Sequence, residues 1–151
     1  MASRERVYEE AGRLLELANL LETELGTALI ALDALDTGSF LNPDADAYTR
    51  LVAAIEGRTL GASLHAIKKR LSITGDLEAL FDDALKARNF MAHRLFPHYG
   101  LKLLDDGGRD NMVEHMESLH KTIWRAYTAA QHMAGLLVTS VQALAKRETS
   151  Q

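Results

Sequence analysis

From Arg4 to Leu35 the apolar side chains Val7, Ala11, Leu14, Leu15, Ala18, Leu21, Leu25, Ala28, Leu29 and Leu32 keep the three-and-four spacing of one helix face, with no proline among them. The pattern predicts a single long helix, with Gly26 as the place where it would kink. Leu17, Leu20 and Ile30 make its apolar face wider than one core requires. The segment "DTGSFLNPDAD" has the composition of a loop. A shorter helical stretch follows from about Ala47 to Leu71, bent or broken between Gly57 and Gly61, and "ITGD" closes it.

The next helix carries Leu77, Leu80, Phe81, Ala84 and Leu85 on its stripe, and Asp76 and Glu78 in its first turn, where the helix dipole favours acids. Pro97 is expected to end it at about Phe96. In "ARNFMAHRLF" the next stripe position after Leu85 is Arg88, and Met91, Ala92 and Leu95 then resume the apolar run. A charge is costly to bury, so its occupation of a core slot asks for a reason. Beyond a turn-like segment to Asp110, a last long helix runs to about Lys146. Its stripe is Met112, Met116, Leu119, Ile123, Tyr127, Ala130, Ala134, Leu137, Val141 and Leu144.

No stretch alternates with the two-residue period of a strand. The expected fold is all-α: an antiparallel, up-and-down four-helix bundle with long first and last helices, one domain over residues 1–151 with its core over about 4–146. At 151 residues and 47% hydrophobic, the chain is long enough for one sizeable core. It has no cysteine, which removes disulfides, thiolate nucleophiles and zinc–sulfur sites. Its charged start and interrupted apolar runs predict a soluble, cytoplasmic protein without a membrane segment. The net charge of −4 provides no global basic field, so nucleic acid would have to be held by a local patch.

Arg88, Asn89 and His93 together suit phosphate chemistry. Arginine is a permanent planar cation that matches phosphate oxygens and can neutralise charge building on phosphorus. Histidine exchanges a proton near neutral pH. Asn89 and His93, four residues apart, are neighbours on one face, so the amide can orient the ring. Five residues turn a helix by about 140°, which points Arg88 and His93 to different sides. Either the last turn is distorted, or a second copy of the chain completes the site across a twofold axis. The alternative is structural: Arg88 paired with a carboxylate or stacked at an interface, and His93 as a helix-terminal cation favoured by the dipole.

His98 and Tyr99, just past Pro97, are placed to line the same cleft or to be solvated. Lys68, Lys69 and Arg70, with Arg94, Lys102 and Arg109, would grip an RNA backbone or else face solvent. Glu117 and His120 have the Glu-x-x-His spacing of di-iron bundles, but no second such pair exists, so no metal or other cofactor is expected. Trp124, at the flank of its stripe, reads as packing. No glycine-rich phosphate loop or nucleophile elbow is present.

The run "TLGASLHAIKKRL", the helix ending "ARNFMAHRLF" and the helix start "GRDNMVEHM" resemble the HEPN superfamily, the higher eukaryotes and prokaryotes nucleotide-binding domains. The resemblance covers roughly Thr59 to the middle of the last helix. It implies a helical bundle, commonly a homodimer, marked by Arg, a polar residue, and a His five positions after the Arg. It further implies RNA cleavage without metal in many members, by attack of the 2′-hydroxyl on the adjacent phosphate, as in toxin or defence proteins. By position, Arg88 would hold the phosphate, His93 would act as general acid or base, and Asn89 would support them. In one toxin branch a tyrosine two residues after the histidine is the target of a nucleotidyltransferase antitoxin. Here that position is Leu95 and the nearest tyrosine is Tyr99, a departure that bears on any antitoxin partner. A non-catalytic dimeric module that binds nucleotide, RNA or a protein partner is the second reading.

Overall fold

A computed structural model describes every residue from Met1 to Gln151. The chain is all-helical and has no strand: α1 (Arg4–Thr37), α2 (Ala45–Glu56), α3 (Leu60–Leu71), α4 (Gly75–His93), α5 (Leu95–Tyr99) and α6 (Asp106–Thr149), with a 3-10 helix (Gly100–Leu104) between the last two. No helix is long and apolar enough to cross a membrane.

Local chemistry sets the boundaries. Asp44 caps α2 by accepting hydrogen bonds from the Asp46 and Ala47 amides at 3.0 and 3.1 Å. Thr59 caps α3 through the Ala62 amide at 3.2 Å. Ser72 ends α3 in the left-handed region at φ 51°, and its N–H donates to the Lys68 carbonyl. The basic run Lys68, Lys69 and Arg70 therefore forms the last turn of α3, where the dipole favours cations. The helix expected over 47–71 is thus two helices, each with its own polar cap.

The last helix starts four residues before the position its apolar stripe indicates. Asp105 draws the start back: its carboxylate accepts the Gly108 amide at 2.6 Å and its carbonyl accepts the Arg109 amide at 3.2 Å. Gly108 is buried here for a steric reason. A Cβ at that position would lie 1.9 Å from the Lys102 carbonyl oxygen, so the 3-10 helix rests on the α6 backbone itself.

The fold divides into two compact units. Unit 1 comprises 1–21 and 75–127, and unit 2 comprises 22–74 and 128–151, so α1 and α6 each supply both. In unit 1 the core holds Val7, Leu14, Phe81, Leu95, Met112, Met116 and Ile123, all essentially sealed from solvent. Glu10 is also buried, held by Arg6 at 2.7 Å and Arg13 at 3.3 Å. Leu17 joins the core, whereas Leu15, on the expected stripe, is 52% exposed and Leu20 is 42% exposed.

The direction of the long helices in unit 1 departs from the up-and-down expectation. The Ala2 amide donates to Asp110, Arg109 donates to the Ala2 carbonyl, and Arg6 reaches Glu117 at 4.0 Å. These contacts advance together along both segments, so α1 and α6 run in the same direction here. First and last helices of an up-and-down four-helix bundle oppose one another.

In unit 2 the core is built from Leu25, Ala28, Leu29, Leu32, Leu60, Leu64, Ile67, Ala130 and Ala134. Arg70 forms an ion pair with Asp36. Gly26 makes a close approach there, since a Cβ on it would come within 3.3 Å of Ile55 Cγ2.

Candidate functional site

α4 begins at Gly75 in a left-handed conformation, φ 68°, and places His93 in its last turn. Its buried residues are Phe81, Ala84 and Ala87. The stripe advances by three residues at each step, and because three residues fall short of a full turn the buried face slides around the helix. At 87 and 88 that drift puts the alanine inside. Arg88 is half-buried rather than sealed, which corrects its expected core position. Its Nη1 lies 3.5 Å from the Asn89 side-chain oxygen.

Asn89, His93 and Arg94 are exposed. The helix is regular through His93, and the Arg94 amide still donates to the Phe90 carbonyl at 2.8 Å. A distorted last turn is therefore not available to bring Arg88 and His93 of one chain to the same side. The chain turns at Arg94, where φ is −125°, and α5 follows at once. Pro97 does not end the preceding helix as expected. It is the third residue of α5, in a first turn that has no use for its missing N–H.

α5 brings His98 and Tyr99 back beside α4 and α6. Tyr99 is buried, and its hydroxyl lies 2.9 Å from His115 Nδ1 and 3.4 Å from the Asn111 carbonyl oxygen. A phenol has one proton. If it is donated to the carbonyl, the 2.9 Å bond is made by the His115 Nδ1–H, and Nε2 is left as an acceptor. Burial, and secondarily the charge of Glu114, raise the Tyr99 pKa and keep the phenol neutral.

Aromatic rings close around this pair. Phe90 packs on His115 with centroids 4.8 Å apart and on His98 at 5.7 Å, while His98 meets Tyr99 at 4.9 Å and His115 at 6.5 Å, both edge-on. Lys102 Nζ sits 5.9 Å from the centre of the Tyr99 ring. Phe90 and His93 are three residues apart on α4 and so neighbours on its surface. The aromatic cluster thus adjoins the His93 side of the helix.

The sequence expectations separate at this point. Arg88, Asn89, His93, Arg94, His98 and Tyr99 all belong to unit 1, on or just after one helix. Lys68, Lys69 and Arg70 belong to unit 2, where Lys69 and Arg70 are exposed and Lys68 is half-buried. Arg109 is structural rather than RNA-facing. It donates to the Ala2 carbonyl at 2.8 Å and the Leu103 carbonyl at 2.9 Å, and pairs with Asp106.

Phe90 and His115 carry no local mark in the sequence. Only the return of α5 against α6 reveals them. His120 stacks on Trp124 at 6.4 Å with rings 10° apart, and Trp124, expected to pack, is 52% exposed. No family model, curated protein or solved structure matches this chain.

Proposed function

We propose that the chain is a HEPN-like, metal-independent endoribonuclease of the toxin or defence type. The 2′-oxygen would attack the adjacent phosphorus while its proton passes to a base, and the P–O5′ bond would break as the 5′-oxygen receives a proton. Arg88 would neutralise charge on the pentacoordinate phosphate, His93 would carry one of the two proton transfers, and Asn89 would orient its ring. The observation that supports this reading is the position of the triplet. Ala84 and Ala87 fill the core, Arg88 is half-buried at its edge, and Asn89 and His93 are exposed on the same regular helix.

The same regularity favours a composite site, with Arg88 from one copy and His93 from another around one phosphate. Tyr8, 60% exposed, stacks on the exposed Phe96 with ring centroids 6.3 Å apart, and Leu15, 52% exposed, lies two turns further along α1. This strip supplies apolar surface for a homodimer contact. The rings of Phe90 and His98 would offer faces for a base, and Arg94 a charge for a neighbouring phosphate.

The test is cleavage of a mixed RNA pool in excess EDTA by wild type, Arg88→Ala, His93→Ala and an equimolar mixture of the two variants. The reading expects 2′,3′-cyclic phosphate ends from wild type, loss of cleavage in each variant and partial recovery in the mixture. Cleavage that persists in His93→Ala would remove the proposed chemistry. Absence of recovery with dimers intact would remove the composite site alone.

A further inference from the structure

Unit 2 holds a cavity of about 610 Å³ between the last turns of α1, the loop that follows and the first two turns of α2. Its walls are mainly apolar, with Ile30, Ala34 and Leu51 beside the rings of Phe40 and Tyr48. A second cavity of about 290 Å³ shares Ile30, Ala34 and Tyr48 and continues to Val138 and Val141 on α6. Together they fall within the size range of small-molecule sites, which pair apolar walls with a few polar groups.

The electrostatics of this cavity point one way. No lysine, arginine or histidine lines it. Asp33 does, half-buried, and its carboxylate takes part in no ion pair or hydrogen bond. The other acid in the wall, Asp44, is committed to capping α2. α1 ends beside the cavity with no basic residue in its last turn, so the negative end of its dipole adds to the Asp33 charge. Phe40 and Tyr48 line it with aromatic rings, and the face of such a ring attracts cations and repels anions. An anionic ligand such as a phosphate would meet three unfavourable fields at once.

We propose that unit 2 binds a small organic ammonium ion with an apolar body, its cationic head at Asp33 and its apolar part between Ile30, Ala34, Phe40 and Tyr48. The proposal is independent of the ribonuclease reading, since it uses no residue of unit 1.

Calorimetric titration of the full chain with 2-phenylethylammonium, its neutral counterpart 2-phenylethanol and the anion phenylacetate tests it. Saturable one-to-one binding of the amine is expected, with binding of the alcohol at least about tenfold weaker and none of the anion. Asp33→Asn keeps the shape and breaks no bond within the fold, and it should weaken the amine by about tenfold or more while leaving the melting temperature in place. Tyr48→Ala should weaken amine and alcohol alike. No saturable amine binding to the wild type, or equal amine affinity in wild type and Asp33→Asn, would overturn the proposal. It is equally overturned if the amine fails to bind and Tyr48→Ala turns a wild-type dimer into a monomer, because the cavity is then a contact between copies.

Discussion

Gly108→Ala is the most direct probe of how the α5 segment is held. The added Cβ would stand 1.9 Å from the Lys102 carbonyl oxygen, 2.6 Å from its carbon and 2.8 Å from Lys102 Cβ. Ordinary contact begins near 3.4 Å, so the 3-10 helix must retreat by about 1.5 Å. Overpacking of this kind costs about 1–3 kcal/mol. Alanine in place of glycine returns at most about 1 kcal/mol in a helix, and less in its first turn. Leu101 and Leu104 are exposed, so the 3-10 helix can swing outward, which limits the loss to what its seating contributes.

A net destabilisation of about 2 kcal/mol is therefore expected, or a melting temperature lower by about 4–8 °C for a chain of this size. Thermal and urea unfolding by circular dichroism measure it, with Gly107→Ala as the control. At Gly107 the nearest atom to an added Cβ is Asp105 Oδ1 at 3.5 Å, and no loss is expected there. Wild-type stability in Gly108→Ala would show that the 3-10 helix does not rest on the start of α6. An equal loss in both variants would place the effect in the helix start instead.

Other substitutions probe different links. Gly12→Ala, mid-helix in α1 with nothing within 4 Å of the new Cβ, should raise stability by about 0.5–1 kcal/mol in urea unfolding. Arg109→Ala removes bonds to two backbone carbonyls and to Asp106, and should lower stability by about 3 kcal/mol, more than Gly108→Ala. Because the folded Tyr99 pKa is raised, the stability it contributes is complete below the unfolded value of about 10 and falls as pH rises from there through the folded value. Tyr99→Phe should flatten that alkaline decline in unfolding curves between pH 9 and 11, taken as about the range where phenols titrate. It should also remove the highest-pH part of the tyrosinate absorbance titration. An unchanged slope would place the alkaline loss elsewhere.

Periodicity located the helices because each buries one face. It predicted α1 nearly end to end and the interruption between α2 and α3. It misplaced Arg88 because a stripe drawn at 3.6 residues per turn does not decide between adjacent positions when the buried face drifts, and two alanines, weakly hydrophobic, hold the inner slots. The early start of α6 was hidden for another reason. A glycine pair reads as a turn until the Asp105 cap and the Lys102 contact explain both the start and the absence of a side chain.

The direction of α1 against α6 was beyond the pattern altogether, since apolar spacing is the same for parallel and opposed helices. At the candidate site, residue chemistry singled out Arg88, Asn89 and His93 on one helix. His115 came from tertiary folding alone.

The shared long helices also govern when this protein can take shape. Unit 1 needs residues as late as Tyr127, and unit 2 needs residues beyond Thr128, so no early portion of the chain closes either core. At about 5–20 residues per second of ribosomal synthesis, the apolar face of α1 waits for about 5–20 s before the α6 segment of unit 1 is made. Leu14, Leu21, Leu25 and Leu29, sealed from solvent in the finished fold, complete their burial only once α6 has been made. A ribosome that stops short of α6 releases a chain in which neither core can close.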